Sequence, residues 1–85
     1  MSEDEFVEAW LNKNWRKAPS NAFWVNIQNH NVSAMNDNQN PGKWKARLVK
    51  PGQSPADAKW LDDFASKRGA QVAILKELFQ LLHRE

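Results

Sequence analysis

The chain contains no cysteine. No disulfide staple and no thiolate chemistry is therefore available, and a small domain that holds together without either suits a reducing compartment. No apolar run approaches the roughly 20 residues needed to cross a bilayer. The opening residues, MSEDEFVEAW, are acidic where a signal or transit peptide would be basic. The expectation is a cytoplasmic protein with no membrane partner. Glycine is scarce too: Gly42, Gly52 and Gly69 stand apart, and no P-loop, dinucleotide fingerprint or nucleophile elbow can be drawn through them. The histidines, His30 and His83, have no sequence-near partner that would make a catalytic pair or a metal site, and His83 is explained by the dipole at a helix C-terminus. Asp62 and Asp63 are adjacent, so on a helix they diverge by about 100° and cannot act as a carboxylate pair. No catalytic residue, metal site or cofactor is expected, and the protein is read as non-enzymatic.

What is present fits one small globular unit. With 85 residues, the chain buries only about 60% of the surface its unfolded form exposes, and a partner subunit would help it. The composition is 41% hydrophobic and 26% charged, with nine asparagines and a mean hydropathy of -0.78, so much of the chain must stay wet. Five Trp and four Phe supply the missing apolar area. Net charge is +2, yet its distribution is uneven: residues 1–8 carry four acids and no base, whereas residues 9–56 carry seven bases against Asp37 alone. Segregated positive charge attracts phosphates even where the whole-chain charge is small. A solvated face accounts for the same bases without a ligand.

Periodicity predicts an α+β single domain over residues 1–85, with an N-terminal helix, a two-stranded antiparallel sheet and two C-terminal helices. Ser2 and Glu5 form a capping-box pattern ahead of a helix over 3–17, with Phe6, Val7, Trp10, Leu11 and Trp15 on one side. Lys13, Arg16 and Lys17 fall in its last turn, where the helix dipole favours them. AFWVNI, residues 22–27, reads as a strand with Phe23, Val25 and Ile27 on one face and Trp24 on the other. A mobile Asn-rich loop is expected at about 28–42, into which the first strand could extend to about Val32. A second strand follows at 43–49. Ser54-Pro55 predicts a helix over 55–67 burying Trp60, and Gly69 marks its end; a second helix over 70–83 follows.

The stretch PGKWKARLVKPG, residues 41–52, alternates Lys43, Lys45 and Arg47 with Trp44, Ala46 and Leu48, so a strand here is cationic on one face and apolar on the other. Trp44 either turns to the core by that alternation or stacks on a base while its neighbours bind phosphates. Trp24, opposite its strand's apolar face, marks a contact surface. The order KWKARLV, SPADAKWLDDFASKRG, AQVAILKELFQLL, over about residues 43–82, resembles the ribbon-helix-helix family of dimeric DNA-binding proteins. That resemblance implies a homodimer whose paired strands read duplex DNA through Lys43, Lys45 and Arg47, with the second helices interlocked. The wide apolar stripe of Val72, Leu75, Leu78, Phe79 and Leu82, flanked by Ile74 and Leu81, would form the dimer interface. Lys50 would join the strand's contacts, and Lys13, Arg16 and Lys17 would add nonspecific charge. The function expected is a DNA-binding or DNA-associated regulatory protein. The alternative is a protein-interaction module, an adaptor or inhibitor of a larger assembly, that uses Trp24, Trp44 and the C-terminal stripe.

Overall fold

A computed structural model describes residues 1–37, 39–40 and 42–84. Helix α1 spans Glu3–Leu11. Its N-terminus closes with the expected capping box: the Ser2 hydroxyl accepts from the Glu5 N–H at 3.2 Å and the Glu5 carboxylate accepts from the Ser2 N–H at 3.1 Å. These bonds hold the exposed Glu5 carboxyl below its ordinary pKa, the Ser2 backbone first and its hydroxyl second. The helix stops six residues earlier than its apolar rows predict. Asn12 caps it, and the Trp15 indole N–H donates to the Trp10 carbonyl at 2.8 Å, so a side chain satisfies a carbonyl that the next turn would have used. Arg16 and Lys17 are thereby released from the helix and form the short strand β1.

Four further strands follow: β2 (Ala22–Ile27), β3 (His30–Asn36), β4 (Trp44–Val49) and β5 (Trp60–Phe64). They make one antiparallel meander in the order β1-β2-β3-β4-β5. The expected two-stranded sheet is thus a five-stranded one, and the predicted helix over 55–67 is absent. Ser54-Pro55 opens only a single 3-10 turn, Pro55–Asp57, before the chain extends into β5. The expected Asn-rich loop contains β3. Gln28 and Asn29, with φ of 50° and 66°, form the two-residue connection of a tight hairpin whose last pair is Ile27 and His30. The His30 ring closes that turn: Nδ1 donates to the Gln28 carbonyl at 2.8 Å, which gives this buried histidine a structural place. Of the rest of that loop, Asn38 and Pro41 lie outside the described residues, while Asp37 and Lys43 are tied by a 2.9 Å backbone bond. Between Trp44 and Ala46 the β4–β5 register shifts by one residue, and Asp63 takes a φ of 68° in the resulting bulge. The bulge and the acids Asp62 and Asp63 blunt this edge strand against pairing with another chain.

Helix α2 runs unbroken from Lys67 to Arg84. Gly69, the expected corner, lies inside it and donates its N–H to the Ser66 hydroxyl at 3.0 Å. The helix packs across β3, β4 and β5, and α1 packs against α2. Ile74, Leu75 and Leu78 are wholly enclosed, with Val72, Phe79 and Leu82 packed at the margin of the same cluster. Ala34 and Ala46, paired at the sheet centre, and Ala70 near the start of α2 are also fully buried; their small side chains suit a close helix–sheet approach. Phe6 meets Phe79 at a ring separation of 5.4 Å.

This packing overturns the ribbon-helix-helix resemblance and the homodimer it implied. β4 is an interior strand with β3 on one side and β5 on the other, so it has no free edge with which to pair in a second chain. The stripe assigned to a dimer core is consumed within the chain by the sheet and α1. Sedimentation at micromolar concentration is expected to show a 9.8 kDa monomer; a stable dimer would mean that another surface associates.

Candidate functional site

In an antiparallel sheet, residues directly opposite one another project to the same side. Alternation therefore divides this sheet cleanly. Val25, Val32, Ala34, Ala46 and Leu48 face the helices and join the core. On the other face the register aligns Arg16 with Trp24, Trp24 with Ser33, Ser33 with Arg47 and Arg47 with Trp60, a single row crossing all five strands. A second row beside it runs Ala22, Met35, Lys45. Both helices lie on the opposite side, so no helix covers this face, which Ala18, Ser20 and Pro55 border.

The row pairs cations with aromatic rings. The Arg16 guanidinium lies 5.5 Å from the Trp24 ring centre. Trp60 carries two cations, the Arg47 guanidinium at 4.4 Å and the Lys45 ammonium at 4.5 Å. Each contact orients a ring and holds a charge beside it, at about 0.5–1 kcal/mol for an exposed pair. Three strand spacings of about 4.8 Å put Trp24 and Trp60 roughly 14 Å apart along the sheet. Between them lies a groove of about 260 Å³ with Ser33, Met35 and Arg47 in its lining. A second hollow flanks Trp24 on the Arg16 side and a third flanks Trp60 on the Lys45 side. The tryptophans thus stand as two partitions in one line of three depressions.

Charge along that line falls from one end to the other. Arg16, Lys45 and Arg47 supply positive charge, while Asp37 and Asp62 line the hollow beyond Trp60. The Asp37 carboxyl is held below the ordinary aspartate range, chiefly by the backbone N–H of Gln39 and to a smaller extent by Asn40 and Lys45, so it stays ionised and partly offsets Lys45. The Arg47 guanidinium is anchored by an Nη1–H donated to the Pro55 carbonyl at 3.3 Å. Two polar atoms of the row, the Ser33 hydroxyl oxygen and Arg47 Nε, are buried and have no hydrogen-bond partner among the described residues. An unsatisfied buried group costs about 1–3 kcal/mol, which is unusual on a face that no helix covers.

Of the side chains singled out from sequence, the fold brings together Arg16, Trp24, Lys45 and Arg47. Lys43 stands one residue outside β4, and Lys50 lies by a separate hollow near Leu48 and α2. Lys13 sits by Trp10 at the end of α1. Lys17 pairs with Phe23 on the other side of the sheet, where Lys67 approaches the same ring to 3.7 Å. Trp44 packs against the core at 6.3 Å from Phe23. Two members of the row escape sequence reasoning. Trp60 reads as helix core because Trp60 and Phe64 are four apart, a spacing that a bulged strand also satisfies. Ser33 falls in the supposed loop, although HNVSAMN alternates Val32 and Ala34 against Asn31, Ser33 and Met35. Among the described residues, no group of three or more His, Asp or Glu side chains is placed to hold a metal ion, and no helix is long and apolar enough to cross a membrane. Comparison with protein-family models, with curated proteins and with solved structures found no match to this chain.

Proposed function

We propose that this protein is a non-enzymatic single-strand nucleic-acid-binding module that uses the uncovered face of its sheet. The cross-strand row Arg16, Trp24, Ser33, Arg47, Trp60 is the observation that carries the reading. A single strand offers what this row lacks: unstacked bases with free π faces, joined by phosphates. Bases stack on Trp24 and on the Trp60–Arg47 pair, since both an indole and a guanidinium plane accept a base. Arg16 and Lys45 take the phosphates, and Arg47 adds its positive charge to the face. The sheet supports this role because α2 packs across its far side and backbone pairing fixes the register from which the two rings project. Reading a duplex groove through a dimeric ribbon is not retained, because β4 is enclosed between neighbours.

The test is a titration of single-stranded RNA, single-stranded DNA and duplex DNA, followed by tryptophan fluorescence at two salt concentrations. Single strands are expected to quench the fluorescence, because indoles stacked on bases change environment, and to bind more tightly than duplex. Affinity should fall as salt rises, with a slope of about 0.7 per phosphate neutralised. The difference between RNA and DNA reports whether the 2′-hydroxyl is sensed. If no single strand binds even at low salt, the reading fails and the face belongs to a protein partner instead.

A further inference from the structure

We infer that the groove between Trp24 and Trp60 is a base-reading pocket that takes one guanine; the inference rests on the single-strand reading above. Size comes first. At about 260 Å³ the groove is smaller than the roughly 300–1,000 Å³ of pockets that enclose drug-sized ligands; Trp24 and Trp60 border it, and Asn31, Ser33 and Arg47 are among its polar lining. A single planar base suits that shape.

The lining then chooses among bases. Ser33 is 5% exposed on a face that neither helix covers, and its hydroxyl oxygen lacks a partner among the described residues. Arg47, directly opposite it on the next strand, has Nη1 tied to Pro55 and leaves Nε unpartnered. A guanidinium has donors and no acceptor, while a hydroxyl can do either. The ligand must therefore bring adjacent acceptors to Arg47. Guanine presents two acceptors side by side, O6 and N7, on its major-groove edge; cytosine sets O2 beside N3 on its pairing edge, and of the two the purine fills more of the span between Trp24 and Trp60. On the major-groove edge adenine sets the N6 amino donor beside N7, cytosine directs its N4 amino donor there, and uracil or thymine offers only O4. Adenine and uracil or thymine each aim a donor at a donor or leave part of the fork unmet, and cytosine meets it only through its pairing edge.

Both unpartnered atoms are closed off from solvent, so the groove has to open slightly for a base to reach them. Trp60 is the wall placed to yield. It belongs to the edge strand, lies three residues before the bulge at Asp63, and rests on the guanidinium itself. Trp24 lies in an interior strand between β1 and β3 and is the fixed wall.

The experiment compares hexamers of uridine, and of thymidine, that carry one guanine, one adenine, one cytosine or one 7-deazaguanine at an internal position. Binding to the wild-type chain is read by tryptophan quenching. One guanine is expected to tighten binding roughly tenfold over the homopolymer. 7-Deazaguanine, which keeps the purine shape and O6 but has no N7 acceptor, should lose most of that gain. Arg47→Lys, which keeps the charge and removes the fork, should level guanine with uracil, and Ser33→Ala should reduce the preference in part; thermal melts establish that both variants fold. Equal affinity for every base, a cytosine insert that binds as tightly as guanine, or a guanine preference that survives 7-deaza substitution overturns the base-reading pocket while leaving single-strand binding standing. Absence of binding to every oligomer overturns the single-strand reading, and this inference falls with it.

Discussion

Leu78→Ala is expected to bring the domain to the edge of unfolding. Leu78 is completely buried in α2, in the cluster where Ile74 and Leu75 meet the sheet and Phe6 meets the helix. Truncating such a leucine removes its transfer free energy and leaves a cavity, which together cost about 2–5 kcal/mol. At about 0.05–0.15 kcal/mol per residue, an 85-residue domain has about 4–13 kcal/mol in total, so one substitution takes a large fraction. The sheet is exposed to the same loss, because α2 is the helix that packs across three of its strands. Lys45→Ala is the contrasting control: it removes one exposed-face cation from Trp60 and should cost no more than about 0.5–1 kcal/mol. Urea denaturation of both variants measures the difference. Equal losses would mean that the outer face is structural, and the distinction between core side and ligand side would collapse.

The features written in local chemistry were legible before the structure was known. The capping box at Ser2 and Glu5, the strand over 22–27 and the alternation of Lys45 and Arg47 against Ala46 and Leu48 each depend on neighbours within a few residues. β3 was hidden because its hairpin turns at Gln28-Asn29, which reaches positive φ without the glycine that usually signals such a turn. Its asparagines also gave the segment a loop-like composition. β5 was hidden for a different reason: Ser54-Pro55 caps a 3-10 turn as readily as a helix, and the bulge at Asp63 breaks the period of two that would have marked the strand. Arg16 and Lys17 had a sufficient local explanation in the helix dipole. The Asn12 cap and the Trp15 indole bonded to the Trp10 carbonyl end the helix ahead of them. The row itself was out of reach, because it is a property of register. Its residues were spread over the expected loop, helices and strands, and only pairing across strands sets Trp24, Ser33, Arg47 and Trp60 in line.

The largest functional effect is expected from reversing two charges on that row. With Lys45 and Arg47 both changed to Glu, three cations against Asp37 and Asp62 become one cation against four acids, so the face changes from net attraction of a phosphate chain to net repulsion. Binding of single strands should fall below detection at moderate salt, while circular dichroism stays near that of the wild type, because neither side chain reaches the helix-facing core. Trp24→Ala should act differently. Removing one stacking platform costs about 1–3 kcal/mol of binding, a loss of about 5- to 150-fold, but it removes no positive charge. The slope of affinity against salt should therefore be unchanged in Trp24→Ala and reduced in single-charge variants such as Lys45→Ala, by about 0.7 for each phosphate that is no longer neutralised. The separation follows from the geometry: rings and cations alternate along one row, so each can be deleted without deleting its neighbour. A Trp24→Ala chain that binds as tightly as the wild type would remove stacking from the mechanism. A double reversal that binds unchanged would remove the row altogether.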